Sequence, residues 1–244
     1  MAKGFSAMGG LFSSSSMWEA TSRKVLITGA SSGIGAELAR IFAKEGAQLA
    51  LLGRNEERLQ AVARECETLG AEIVKMYVAD LIDNKDIDRV TKQALQDFVG
   101  FDVVILNAGR SQGCYFEEIN DVEQVDYMMK LNVSGVINPL QKLLPSIYKS
   151  KNSRIVFVSS TAGIIPVAYR SIYCASKFAV TGFAGALRME LNDTYGAERA
   201  PKVCLVAVPE VNGTNLNAGR MDFGATQPPA QFKNDTSADL EPTC

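Results

Sequence analysis

The sequence predicts an α/β fold in one domain, a doubly wound parallel sheet with helices on both faces. Short apolar runs rich in β-branched residues alternate with longer segments whose apolar residues recur at helical spacing. Strands that are joined by helices of more than about ten residues lie parallel and are covered on both faces. A chain of 244 residues with 47% hydrophobic content is long enough to bury the core of such a domain.

Six strands are predicted from short, mostly apolar runs, the composition of strands that are buried on both faces. In chain order they are Lys24–Thr28, Gln48–Leu52, Glu72–Val78, Val103–Leu106, Arg154–Val158 and Lys202–Val208.

The helices are predicted from the apolar residues between these strands. After the first strand and again after the second, the apolar residues are spaced so that they share one helical face. The two sets are Ile34, Leu38, Ile41 and Phe42, and Leu59, Val62, Cys66 and Leu69. The remaining crossovers are predicted at about Lys85–Phe98, Val122–Tyr148 and Tyr173–Tyr195.

The two ends of the chain lack these patterns. Residues 1–22 are rich in Gly, Ser and Met, and we expect a flexible leader there. Residues 217–244 contain neither a strand nor a helix pattern and are predicted to be disordered or to be a truncated C-terminal segment. The predicted domain is therefore 23–216.

The composition excludes several classes of function. The chain has no histidine, which rules out Ser-His-Asp and Cys-His nucleophiles and His-liganded zinc. The five cysteines are odd in number and never form a C-x-x-C pair, so we expect reduced thiols, no metal site and a cytoplasmic protein. A net charge of −2 gives no reason to expect nucleic acid as a partner, and no apolar run is long enough to span a membrane. Association with the surface of the endoplasmic reticulum stays open.

A glycine-rich turn follows the first strand and opens the first helix. Residues 28–35 read TGASSGIG. Glycines at this place let the chain turn tightly and let phosphates approach the backbone at a helix N-terminus. The position predicts a dinucleotide site in a Rossmann fold, although a glycine-rich segment by itself is also compatible with a simple turn.

The end of the second strand predicts NADP(H) rather than NAD(H). An acidic residue at this place binds the ribose 2′-hydroxyl of NAD, whereas this chain has Gly53 followed by Arg54. Gly53 brings no carboxylate to repel a phosphate, and the guanidinium of Arg54 matches one. The alternative for Arg54 is a solvated loop charge.

Six motifs in a fixed order resemble the classical short-chain dehydrogenase/reductase family over about Lys24 to Leu216. They are TGASSGIG at 28–35, Asp80-Leu81, Asn107-Ala108-Gly109, Asn132, Ser159-Ser160, and Tyr173 with Lys177 four residues later. Within the family, Arg54 and Pro166–Tyr173 resemble the 11β-hydroxysteroid dehydrogenases and the DHRS7-type reductases. This resemblance implies hydride transfer between NADP(H) and an alcohol or ketone, for example a steroid, retinoid or lipid carbonyl.

The resemblance also implies the roles of four catalytic residues. Tyr173 exchanges a proton with the substrate oxygen, and Ser160 donates a hydrogen bond to that oxygen. Lys177 binds the nicotinamide ribose and lowers the pKa of Tyr173, to which it is adjacent on one helical face. Asn132 kinks its helix and positions a water next to Lys177.

By the same resemblance, further residues bind the cofactor. They are Gly29, Ser31, Ser32, Gly33, Ile34, Gly35, Arg54, Asp80, Leu81, Asn107, Ala108, Gly109, Tyr173, Lys177, Pro209 and Thr214. The partners expected are a small-molecule carbonyl or alcohol and, from the long helices around Asn132 and Tyr173, a second subunit in a homodimer.

Two departures from the family pattern bear on activity. Glu210 stands where the family has a glycine near the nicotinamide, while Thr214 keeps its place. The family's seventh strand has no counterpart in the sequence after Val208, as in a truncated or alternatively spliced product. A non-catalytic NADP(H)-binding or dimerising relative therefore stays open as the alternative function.

Overall fold

A computed structural model describes residues 20–111, 113–119, 122–150 and 152–209. In these ranges six parallel strands form one sheet in the order β3-β2-β1-β4-β5-β6. The strands are β1 (Lys24–Thr28), β2 (Gln48–Gly53), β3 (Ile73–Val78), β4 (Val103–Leu106), β5 (Arg154–Ser160) and β6 (Lys202–Val208). The predicted doubly wound parallel fold is confirmed.

Two strands extend beyond their apolar runs. Gly53 continues β2 because it pairs with Val78 of β3, and Ser160 continues β5 because it pairs with Val208 of β6. Parallel pairing, rather than side-chain polarity, sets where these strands end.

The helices fill the crossovers. They are α1 (Gly33–Lys44), α2 (Glu56–Leu69), α3 (Asn84–Phe98), α4 (Val122–Met129), α5 (Gly135–Ile147) and α6 (Ser171–Tyr195). The crossover predicted at Val122–Tyr148 is not one regular helix, because a π-helical turn at Lys130–Ser134 separates α4 from α5.

Hydrophobic side chains alternate between the two faces of the sheet, as the two-residue period of a strand requires. On β1, Val25 and Ile27 pack beneath α1 and α2, whereas Leu26 packs on the other face with α3, α5 and α6. The sheet is therefore buried on both sides, and its carboxyl-terminal edge is the place where a ligand can reach the strands.

The strand order reverses between β1 and β4, because the chain crosses from β3 at one edge back to the middle of the sheet. Ligands of doubly wound sheets bind outside the carboxyl ends of the strands at this switch point.

Several predictions concern residues that the structure does not describe. They concern most of the leader at 1–22, the segment 217–244, Glu210, Thr214 and the seventh strand. Within the described part of the chain, the helices lack the combination of length and apolar content that crossing a membrane requires.

Candidate active site

The glycine-rich turn packs tightly against the end of β4. Gly29 has a φ of +67°, a backbone conformation that favours glycine, and a Cβ there would lie 2.9 Å from Cα of Ala108. A Cβ on Gly35 would lie 2.3 Å from the carbonyl oxygen of Gly29. The turn therefore has no room for side chains at either position.

Hydrogen bonds from Asn107 and Thr28 hold the ends of β1 and β4 together. The buried Thr28 Oγ1 accepts from the backbone N–H groups of Asn107 at 3.0 Å and Ala108 at 3.1 Å. Asn107 Nδ2 donates in return to the carbonyl oxygens of Thr28 at 3.1 Å and Gly29 at 3.3 Å. The side chain of Asn107 therefore fixes the shape of the turn.

A cavity of about 400 Å³ opens at this switch point. Eleven of the predicted cofactor-binding residues line it: Gly29, Ser31, Ser32, Gly33, Ile34, Arg54, Asp80, Leu81, Asn107, Ala108 and Gly109. The other lining residues are Gly53 and five that no sequence motif indicated, Arg58, Ala79, Arg110, Tyr127 and Leu131.

Of the other five predicted cofactor-binding residues, Gly35, Tyr173, Lys177 and Pro209 lie outside the cavity lining, and the fifth is Thr214. Gly35 packs behind the turn and does not line the cavity, since the space next to its Cα is filled by Gly29 and Asn107. Pro209 is exposed just beyond β6 and also lies outside the cavity lining. Thr214 is not among the described residues.

The end of the cavity at β2 and β3 carries a hydrogen-bonded group of polar side chains. Arg54 Nη1 donates to the hydroxyl of Tyr127 at 2.8 Å and lies 3.4 Å from Oδ2 of Asp80. A Cβ on Gly53 would lie 3.1 Å from Cβ of Ser31, so the glycine-rich turn packs directly against the end of β2. A larger residue at position 53 would require Ser31 to shift by a few tenths of an ångström.

Ser160 and Tyr173 meet at the carboxyl end of β5. Ser160 is the last residue of the strand, and its Oγ accepts from the N–H of Ala162 at 3.2 Å. It also lies close enough to Tyr173, which is only 3% exposed, to lower the pKa of the phenol by hydrogen bonding. The neighbouring Ser159 points to the opposite face of the strand, as strand alternation requires.

Lys177 connects this pair to the cavity. Its ammonium is buried, donates to the carbonyl oxygen of Val158 at 3.2 Å and lies 5.7 Å from the ring centre of Tyr173. A Cβ on Gly109 would lie 3.5 Å from Nζ of Lys177 and 3.1 Å from Oδ1 of Asn132. Because Gly109 lines the cavity, the Lys177 ammonium lies close to the cavity wall at this point.

Asn132 lies in the π-helical turn and is fully buried. Its Oδ1 accepts from the N–H of Arg110 at 2.8 Å, while Nδ2 donates to the carbonyl of Arg110 at 2.9 Å and to Oγ of Ser176 at 3.0 Å. Ser176 Oγ donates in turn to the carbonyl of Tyr173 at 2.7 Å. The side chain of Asn132 thus holds the cavity wall and helix α6 together.

Ser176 was missed as a functional candidate by sequence reasoning. The available signal was its position directly before Lys177, in the predicted helix that also carries Tyr173. Nothing in the sequence alone predicts that its hydroxyl faces Asn132, because the two residues are brought together only by the packing of α6 on the π-helical turn.

The pKa of Tyr173 lies above the ordinary value of a phenol. Burial raises the pKa of the phenol, and the hydrogen bond from Ser160 and the charge of Arg170 lower it only in part. Burial also lowers the pKa of Lys177 to about 8. Without a bound cofactor, the cost of removing a phenolate from water therefore outweighs the effects of Ser160 and Arg170 on the pKa of Tyr173.

Residues 23–219 match the family described as short chain dehydrogenase. Among curated relatives, dehydrogenase/reductase SDR family member 7 of Mus musculus is 38% identical over 182 residues, which are 73% of this chain and 54% of that protein. An 11-beta-hydroxysteroid dehydrogenase of Pinus massoniana is 36% identical, over 68% of this chain and 47% of that protein. The chain spans about half the length of these two relatives.

Solved structures show the same architecture. A short chain dehydrogenase/reductase from Burkholderia phymatum in complex with NAD gives a TM-score of 0.77 at 24% identity, over 93% of this chain and 76% of that one. An alcohol dehydrogenase from the archaeon Thermococcus sibiricus complexed with 5-hydroxy-NADP gives 0.73 at 25% identity, over 84% of this chain and 82% of that one. The sheet order, the ordered motifs and the family match together place this chain in the short-chain dehydrogenase/reductase family.

Proposed function

We propose that this chain is an oxidoreductase that transfers a hydride between NADP(H) and an alcohol or ketone. One observation carries the proposal: Tyr173 lies beside Ser160 and beside the buried ammonium of Lys177, which is close to Gly109 in the cavity wall. A proton donor, a hydrogen-bond donor and a buried positive charge thus lie next to a cavity at the ligand-binding edge of the sheet.

The residues of the cavity fit a dinucleotide. The N-terminus of α1 opens into it, Ser32 at the N-cap makes no side-chain capping bond, and the first turn carries no acidic residue. The first N–H groups of α1 are therefore available for the diphosphate. Asp80 and Leu81 would hold the adenine, and Asn107 to Gly109 the adjoining sugar.

Each catalytic side chain has a defined task in this proposal. When bound, the nicotinamide supplies or accepts the hydride. Ser160 donates a hydrogen bond to the substrate oxygen, and Tyr173 gives that oxygen its proton in reduction or takes it in oxidation. Since burial raises the pKa of Tyr173, the phenol of the free protein holds its proton at neutral pH, which is the form that reduction requires.

Lys177 and Asn132 act around this pair. Lys177 would bind the ribose hydroxyls of the nicotinamide half, and its charge would favour the phenolate of Tyr173. Both amide hydrogens of Asn132 are donated to Arg110 and Ser176. We therefore assign Asn132 as a positioning residue that holds the cavity wall, rather than as a group that meets the substrate.

Apolar side chains near Tyr173 support a hydrophobic carbonyl substrate such as a steroid, retinoid or lipid. Tyr173 packs in a cluster with Cys114, Met128 and Ala162. The segments that supply this cluster also carry the exposed side chains of Phe116, which is 70% exposed, and Ile164, which is 54% exposed. Exposed apolar side chains next to a catalytic residue favour apolar ligands over charged ones.

Replacement of Tyr173 tests the catalytic assignment. We expect Tyr173→Phe to lower NADPH-dependent reduction of a dicarbonyl by at least about 10²-fold, because proton transfer by a positioned group contributes about that much. NADPH affinity, measured by titration, should stay within about twofold. Tyr195→Phe is the matched control, since Tyr195 is on the same helix and stacks on Tyr148.

The substrate panel should contain apolar ketones and charged 2-oxo acids. Turnover of apolar ketones that is lost in Tyr173→Phe and kept in Tyr195→Phe supports the proposal. If the wild-type protein binds NADPH and reduces none of the carbonyls, the non-catalytic alternative is correct.

The cofactor preference rests on Arg54. We expect NADPH to bind at least about tenfold more tightly than NADH, because a charge-assisted pair with a phosphate contributes more than a neutral hydrogen bond. Arg54→Asp should remove this preference, whereas Arg64→Asp, an exposed position on α2, should keep it. Equal affinities of the wild-type protein for both cofactors would contradict the assignment.

A further inference from the structure

We propose that Tyr127 is a positioning residue that holds Arg54 in the orientation that binds the 2′-phosphate of NADP(H). The proposal rests on the proposed NADP(H) function of the cavity. It adds a residue of helix α4 that no motif singles out and that lies far from Arg54 in the sequence.

Arg54 is bound to the protein through one nitrogen. Its Nη1 donates to the Tyr127 hydroxyl at 2.8 Å and approaches Oδ2 of Asp80 at 3.4 Å. In the part of the chain that the structure describes, its Nε and Nη2 make no polar contact with protein. The side chain is 59% exposed and lines the cavity.

The free edge of the guanidinium is the one that a phosphate uses. Nε–H and Nη2–H point in the same direction and form a fork that matches two oxygens of a phosphate. A bond through Nη1 leaves this fork open and restricts the rotation of a long, half-exposed side chain. Because the side chain is restricted before the ligand arrives, less conformational entropy is lost on binding.

Tyr127 suits this task better than Asp80 does. The phenol is neutral and its bond to Arg54 is the shorter of the two. Asp80 carries a negative charge that partly cancels the charge of Arg54 and repels a phosphate. Tyr127 therefore orients the cation without reducing its attraction for the ligand.

Helix α4 holds the phenol in place. Tyr127 is itself half-buried, and the next residue, Met128, is fully buried in the cluster that contains Tyr173. The packing of α4 on α6, the helix that carries Tyr173, thus sets the position of the Tyr127 hydroxyl.

Titrations of the full chain with NADPH and NADH test the proposal, with 2′,5′-ADP and 5′-AMP as probes of the adenosine half. We expect Tyr127→Phe to weaken NADPH and 2′,5′-ADP binding by about three- to tenfold, as loss of one hydrogen bond does. Affinities for NADH and 5′-AMP should not change. At saturating NADPH, kcat should equal that of the wild type, and Tyr148→Phe should change none of these values.

A double-mutant cycle separates positioning from a direct contact with the ligand. If Tyr127 acts through Arg54, Tyr127→Phe has no further effect on NADPH affinity in an Arg54→Ala background. A full additional loss in that background would overturn the proposal. So would equal weakening of NADPH and NADH binding, unchanged affinities, or tighter NADPH binding in Tyr127→Phe.

The same titrations distinguish failure of the inference from failure of the proposed function. If Arg54→Ala weakens NADPH binding and Tyr127→Phe does not, the cofactor assignment stands and the role of Tyr127 is wrong. If Arg54→Ala leaves NADPH affinity unchanged, both are wrong.

Discussion

Lys177 places a positive charge in a buried position, and the cost of removing that charge from water lowers the pKa of its side chain. Among the residues that the structure describes, its side chain has one polar contact, to the carbonyl of Val158, and burial lowers its pKa from 10.5 to about 8. Between these two values the unfolded chain holds a proton at this lysine that the folded chain gives up. The free energy of unfolding therefore rises with pH in that window, and below about pH 8 the full penalty of the buried charge is present.

Replacement of this lysine by an uncharged residue of similar length should remove the pH dependence. We expect the stability of the wild type relative to Lys177→Met to increase by about 3 kcal/mol between pH 7 and pH 10.5. Urea unfolding of both proteins without cofactor, at several pH values, measures this difference. A difference that is independent of pH would show that the ammonium is solvated.

Residues within motifs were predictable, and residues that meet through packing were not. The turn at 28–35, Tyr173 and Lys177 stand at fixed spacings on predicted elements, and the structure places them at the expected edge of the sheet. Tyr127 was not predictable, because its contact with Arg54 joins two elements whose relative position no local pattern specifies. The rise in the pKa of Tyr173 through burial was not predictable either, because the spacing of residues contains no information about desolvation.

At the scale of the elements, the strands were predictable and the break in the fourth crossover was not. The six strands contain short, mostly apolar runs, which the sequence displays directly. The π-helical turn at Lys130–Ser134 contains Asn132, whose side-chain amide bonds to the backbone of Arg110 outside that turn. Such a turn widens the helix at a functional site and has no apolar period of its own.

The packing of α1 against the end of β4 gives a sharp test of the glycine-rich turn. We expect Gly35→Ala to lower the free energy of unfolding by about 1–3 kcal/mol, the usual range for overpacking, since the new Cβ would lie 2.3 Å from the carbonyl oxygen of Gly29. NADPH binding should weaken as well, because relief of the clash requires the turn to move.

Gly182→Ala is the matched control for that variant. Gly182 is also helical, and a Cβ there would have no neighbour within 4 Å. Alanine is favoured over glycine within a helix, so the control should be equally stable or more stable. Equal stabilities of the two variants, measured by thermal and urea unfolding, would contradict the packing described for the turn.

At the scale of the whole molecule, the sheet order brings distant segments to one edge. Segments that follow β1, β2, β3 and β4 line the cavity, and the last residue of β5 is Ser160. A parallel doubly wound sheet places all these carboxyl ends on the same side, so the location of the site follows from the fold class. Which side chains reach one another across that edge depends on helix packing and required the structure.

Transfer of deuterium from the cofactor tests the central claim most directly. The wild-type protein should be incubated with NADPH that carries deuterium at the transferable C4 position and with an apolar ketone, and the alcohol analysed by mass spectrometry. The account predicts an alcohol that carries one deuterium at the carbinol carbon, and loss of this product in Tyr173→Phe with NADPH still bound. An alcohol without deuterium, or equal labelled product from Tyr173→Phe, would contradict it.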